Sequence, residues 1–150
     1  MARKTLKIFL DSNVILSGML SDKGAPRVIL DILCLGLPFL KGYTGEYNLL
    51  EIERNIHKRL PAILDIYQSY IPKLRLEIVP LPQRKAVKAY IGKIAGKYAP
   101  ALASAVISGA DYLVTGDKKD FGLFRNDVDF SPKIIGPSEL VILIGGAYSE

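Results

Sequence analysis

Two short apolar runs in this chain are each followed by an aspartate, and that pattern constrains the fold more than any other feature. Leu6 to Leu10 leads into Asp11-Ser12-Asn13, and Tyr112 to Thr115 leads through Gly116 to Asp117, with Asp120 close behind. Short apolar runs bounded by polar residues read as strands buried on both faces, the kind found in parallel sheets covered by helices. In open α/β folds, ligands bind beyond the carboxyl ends of such strands. Carboxylates gathered there repel one another unless a cation neutralises them, and hard oxygen donors suit Mg²⁺ or Mn²⁺. The residues point to a divalent-metal site able to act on a phosphodiester.

The rest of the chain supports a mainly parallel α/β sheet. A helix is expected over Val14 to Leu20, and Pro26 opens another, with Gly36 closing it. Leu37 to Leu40 is read as the second strand, with Thr44 capping a helix over Gly45 to Leu60. A helix from about Ala62 to Tyr70 precedes a third strand, Leu76 to Val79, which Pro80 and Pro82 stop. Helices over Lys85 to Ala95 and Ala99 to Ser108 come before the fourth strand. Lys133 to Ile135 is the fifth strand, and Pro137 begins a final helix expected to end at Gly145-Gly146. Strands alternating with helices imply a sheet covered on both faces. At 150 residues, 49% of them apolar, residues 1–150 are expected to form one domain.

Several chemistries are disfavoured. Neither G-x-x-x-x-G-K-[ST] nor G-x-G-x-x-G occurs, so those nucleotide-binding loops are absent. The only histidine, His57, sits in the charged stretch ERNIHKRL and is expected on a solvent face, which argues against a hydrolase triad. Cys34 is the only cysteine, so an internal disulfide and a structural zinc site lack ligands, and a reducing cytoplasm is the expected compartment. Polar residues at Asp11 interrupt the first apolar run, so a secretory leader is not expected. LVILIGG is too short to cross a bilayer, and no membrane association is expected.

On the residues alone, each acid has a structural reading beside the functional one. Asp11 and Asp117 both stand where a carboxylate caps a helix or turn, and the two readings are evenly balanced. Their parallel placement in one sheet tips the balance toward a shared site. Glu51 lies in YNLLEIERNI among apolar residues, and taken by itself it reads as a helix-surface acid paired with Asn55 or Arg54. Between Glu77 and Asp111 there is no acid, while Arg84, Lys85, Lys88, Lys93 and Lys97 make that interval basic. A solvated lysine face is common there; beside an acidic pocket the same cations would track the phosphates of RNA. The net charge of +5 fits such a partner. Tyr43, Tyr47, Tyr90 and Tyr98 are suited either to packing or to stacking on unpaired bases.

Three segments, FLDSNVILS, EYNLLEIERNI and APALASAVISGADYLVTGDKKDF, together resemble the PIN-domain proteins, and more narrowly the PIN-family ribonucleases that are toxin components of toxin–antitoxin systems. The resemblance spans most of the chain in the expected order. It implies a three-layer α/β/α sandwich and a metal-dependent endoribonuclease site using Mg²⁺ or Mn²⁺. It places the family's metal-binding and catalytic acids on Asp11, Glu51 and Asp117, with Asp120 at an accompanying acidic position. Ser12, Asn13 and Thr115 fall at supporting polar positions. It further implies RNA as substrate and a cognate antitoxin as partner; a homodimer is an additional expectation. One position departs from the pattern: Tyr98 stands where the family usually carries another aspartate. Tyrosine ionises near pH 10 and is a poor hard-metal ligand. A weakened enzyme and a catalytically inactive RNA- or protein-binding module are therefore both compatible with the motifs.

Overall fold

The computed structural model describes residues 4–148, and its centre is a five-stranded sheet of order β3-β2-β1-β4-β5 in which every pairing is parallel. The strands are β1 (Leu6–Leu10), β2 (Leu40–Gly45), β3 (Glu77–Val79), β4 (Tyr112–Val114) and β5 (Lys133–Ile135). The helices are α1 (Ser12–Leu20), α2 (Ala25–Cys34), α3 (Glu46–Arg59), α4 (Leu64–Tyr70), α5 (Arg84–Lys88), α6 (Ala99–Ser108), α7 (Gly122–Asn126) and α8 (Pro137–Tyr148).

Alternation along the strands sorts the core into two layers, because successive side chains of a strand point to opposite faces. Ile8 and Leu10 of β1 join Val114 of β4 in one apolar cluster, with Ile15, Ile29, Leu33, Ile52, Ile56 and Leu140 from the helices of that face. Phe9 and Leu113 point the other way, into a cluster with Leu102 and Ala105 of α6, Phe121 and Ile134. Strands covered on both faces explain why β1 and β4 read as continuous apolar runs rather than alternating ones.

Some boundaries differ from the sequence expectation. The second strand begins where it was expected to end, running from Leu40 to Gly45 and pairing Phe9 with Tyr43. Thr44 is consequently a fully buried strand residue whose Oγ1 donates to the Leu10 carbonyl at 2.8 Å, and it caps no helix. The glycine at 42 permits this: a Cβ there would lie 2.8 Å from Leu76 and 2.9 Å from Leu33. The basic helix stops at Lys88, well short of Ala95. Tyr90 instead meets Phe124 edge-on at 5.5 Å, and Gly92 takes a left-handed φ of +86°. The last helix continues past Gly145-Gly146 to Tyr148, its apolar side anchored by Leu140 and Ile144. A short 3₁₀ turn, Lys118–Phe121, and α7 fill the stretch after β4, where no element was expected.

Candidate active site

Strand order decides where the acids meet. β1 lies between β2 and β4, so the chain leaves β1 toward one side of the sheet and returns on the other. Such a switch point opens a crevice at the carboxyl edge. Asp11 follows β1 directly and its backbone N–H donates to the Val114 carbonyl of β4 at 3.0 Å. Asp117 is the third residue past the end of β4. Glu51 arrives from α3, whose buried Ile52 and Ile56 seat it against the sheet. The three acids line one cleft of about 180 Å³, together with Ser12, Asn13, Asn55, Lys97 and Tyr98.

Asp11 is the buried member, only 4% exposed, and each of its oxygens accepts from neutral donors. Oδ1 accepts from the Ser12 backbone N–H at 2.9 Å and from Asn48 Nδ2 at 3.2 Å. Oδ2 accepts from Thr115 Oγ1 at 2.8 Å and, more loosely, from Asn13 Nδ2 at 3.4 Å. No cation contributes to this set. Burial pushes the Asp11 carboxyl up to about 6, and the Glu51 and Asp117 charges add to the rise; the Thr115 and Ser12 bonds oppose it. Asp11 also caps α1, so the structural reading and the functional one hold together.

The remaining acids are steered by the polar turn after β1. Ser12 Oγ donates to Glu51 Oε1 at 2.6 Å. Asn13 Nδ2 donates to Asp117 Oδ2 at 3.0 Å while its Oδ1 accepts from the Gly116 N–H at 3.0 Å. Thr115 Oγ1 accepts from the Asp117 N–H at 3.0 Å while donating to Asp11, so one hydroxyl orients both strand-end aspartates. Asn55 donates to the Glu51 carbonyl and makes no pair with its carboxylate; the Glu51 side chain belongs to the cleft.

Asn48 escaped the sequence reading. It is fully buried, and Nδ2 spends its two hydrogens on Asp11 Oδ1 and on Ser12 Oγ at 3.0 Å. An amide at the third position before Glu51, in an otherwise apolar helix face, was the available signal, since residues three apart share a face. Gly45 belongs with it: a Cβ there would stand 2.6 Å from Asn48 Oδ1.

Tyr98 lines the cleft at the head of α6, and its hydroxyl lies 3.2 Å from Asp117 Oδ2 and 3.1 Å from Asp120 Oδ2. Burial, then the Asp117 and Asp120 carboxylates, hold this hydroxyl well above the usual tyrosine range, so it remains a donor. Asp120 is exposed and reaches the site through this contact. Of the five cations in the basic interval, all are exposed, and Lys97 is the one that lines the cleft, its Nζ 4.9 Å from the Tyr98 ring centre. Tyr43 is a core residue, and Tyr47 donates to the Lys97 carbonyl at 3.3 Å.

Hard oxygen donors from strand-end aspartates fit Mg²⁺ or Mn²⁺, which use one or two carboxylates and fill their remaining positions with water or phosphate. A closed protein cage does not fit: among the described residues, no group of three or more His, Cys, Asp or Glu side chains is arranged to hold a metal ion. Also among the described residues, no helix is long and apolar enough to cross a membrane.

No protein-family model matches the sequence, and no curated protein matches it either. A solved structure does: the crystal structure of VapBC2 from Rickettsia felis bound to a DNA fragment from their promoter. The similarity has a TM-score of 0.57 at 18% identity and covers 87% of this chain and 97% of that one. The all-parallel sheet covered on both faces, and its likeness to that structure, establish the fold as the PIN-like α/β/α sandwich that the motifs resemble.

Proposed function

We propose that this protein is an Mg²⁺- or Mn²⁺-dependent endoribonuclease of the toxin type. The observation that carries the reading is the convergence of Asp11, Glu51 and Asp117 on one cleft at the switch point of the sheet. Asp11 and Asp117 would hold the cation, with Glu51 directly or through water. The bound ion supplies activation of a hydrolytic water and neutralisation of charge on the phosphate. The chain's own groups set the geometry around it. Thr115 and Asn13 orient the two aspartates, Ser12 orients Glu51, and Asp120 stands near enough to Asp117 to share in positioning water. Lys97 at the mouth offers a cation to the backbone of an entering strand, and the other exposed cations of residues 84–93 extend that attraction.

A cognate antitoxin is part of the same proposal. It rests on the motif resemblance and on the likeness of fold to a VapBC2 structure. A second reading, a binding module without catalysis, is favoured by Tyr98, which engages Asp117 and Asp120 where the motifs lead one to expect another carboxylate.

Cleavage of single-stranded RNA in Mn²⁺, Mg²⁺ or EDTA, with the natural chain and Asp11→Asn, separates the two. Cleavage that needs the metal and disappears in the variant is the expected result. RNA binding without cleavage in either metal would establish the module; cleavage that survives EDTA and Asp11→Asn would place the chemistry elsewhere.

A further inference from the structure

Tyr98 holds an unusual position between two acids. Its ring is set by a tilted contact with Phe121, centroids 5.3 Å apart, and Phe121 is fully buried. The hydroxyl that this ring carries stands at nearly equal distances from Asp117 Oδ2 and Asp120 Oδ2, 3.2 and 3.1 Å. A phenol has one hydrogen, and ionised carboxylates accept only. The two aspartates therefore share a single donor, which serves one of them at a time or both imperfectly. Asp117 has a second donor in Asn13 Nδ2 at 3.0 Å. The shared hydroxyl does what a bridging cation would otherwise do: it sits between two like charges and lowers their repulsion. A cation bridging the same oxygens would have to displace it.

We propose that Tyr98 is a positioning residue that ties Asp120 to Asp117 through one neutral hydroxyl and limits the cleft to a single divalent ion. This rests on the metal-dependent reading above and assigns the departure from the family pattern a role of its own. A carboxylate at this position would add a ligand and negative charge. The phenol instead adds a donor, keeps Asp120 directed at the site and keeps a second ion out.

The test is calorimetric Mn²⁺ titration of the full chain as natural protein, Tyr98→Phe, and Tyr98→Phe combined with Asp120→Asn. The phenylalanine keeps the contact with Phe121 and removes only the hydroxyl; circular dichroism of each variant checks the fold. The natural chain is expected to bind one ion. Tyr98→Phe is expected to show a second binding event, and the added Asp120→Asn to abolish it. One ion bound by both the natural chain and Tyr98→Phe would overturn the role of Tyr98 while leaving the metal-dependent reading standing. Binding by Tyr98→Phe but none by the natural chain would overturn the single-ion limit and the metal-dependent reading of the natural chain together. No binding by either would overturn both.

Discussion

Ser12 Oγ stands 2.6 Å from Glu51 Oε1 and donates to it, tying the first turn of α1 to the middle of α3. The same oxygen accepts from Asn48 Nδ2, so a directed line of hydrogen bonds runs from Asn48 through Ser12 to Glu51. Ser12→Ala removes the donor and leaves Glu51 free to turn toward solvent. A hydrogen bond to a charged group contributes roughly 1.5–3 kcal/mol, less where the acid is partly exposed as here. The expected result is a stability loss of about 1 kcal/mol in urea titration and a several-fold loss of Mn²⁺ affinity by calorimetry. Unchanged affinity would mean that Glu51 takes no part in holding the ion.

Gly45 is required for lack of a side chain and not for its backbone. Its φ of −93° is open to any residue, yet a Cβ would come 2.6 Å from Asn48 Oδ1 and 3.0 Å from Ser104 Oγ, both buried. Gly45→Ala must push Asn48 away from Asp11 and Ser12. Overpacking of this kind costs about 1–3 kcal/mol. Lower stability with weakened Mn²⁺ binding is the expected pair of results. A variant as stable as the natural chain would show that the space around Ser104 yields.

Burial of Asp11 has a definite sign in the pH dependence of stability. Its folded pKa of about 6 exceeds the ordinary value of 3.8, so between those values the folded state binds more protons than the unfolded one. The contribution is fully present below pH 3.8 and is lost as pH rises through about 6. Across that window the stability of the metal-free natural chain relative to Asp11→Asn should fall by on the order of 2–3 kcal/mol. Urea titrations of both proteins from pH 4 to pH 8 in EDTA measure the difference. A difference that stays flat would show that the four donors around Asp11 offset its burial.

Lys97 should matter more to RNA than the lysines earlier in the basic interval, because it alone among them lines the cleft. Lys97→Glu is expected to weaken binding of single-stranded RNA and to flatten its salt dependence by about the slope of one phosphate contact. Lys88→Glu and Lys93→Glu, on exposed positions away from the cleft, should each change the slope less. Equal effects from all three would make the interval a diffuse field and not a track into the site.

The sequence by itself determined four of the five strands and the places where acids stand beyond strand ends, because these follow from local alternation and period. Leu6–Leu10, Ala99–Ser108 and Lys133–Ile135 lie where the pattern puts them. Asp11 and Asp117 are legible for the same reason, each following a buried run. Where a contact across the fold competes with local preference, the sequence misleads: Thr44 is drawn into β2 by the Leu10 carbonyl, and Tyr90 breaks the basic helix to reach Phe124. The residues that finish the site are of this second kind. Asn48 goes unread until α3 packs on the sheet and turns it onto Asp11. Tyr98 reads as a missing ligand until the head of α6 meets the turn after β4 and its hydroxyl falls between Asp117 and Asp120. Hydrogen bonds between side chains tens of residues apart have no local period. They exist only once strand order has brought the carboxyl ends of β1 and β4 side by side.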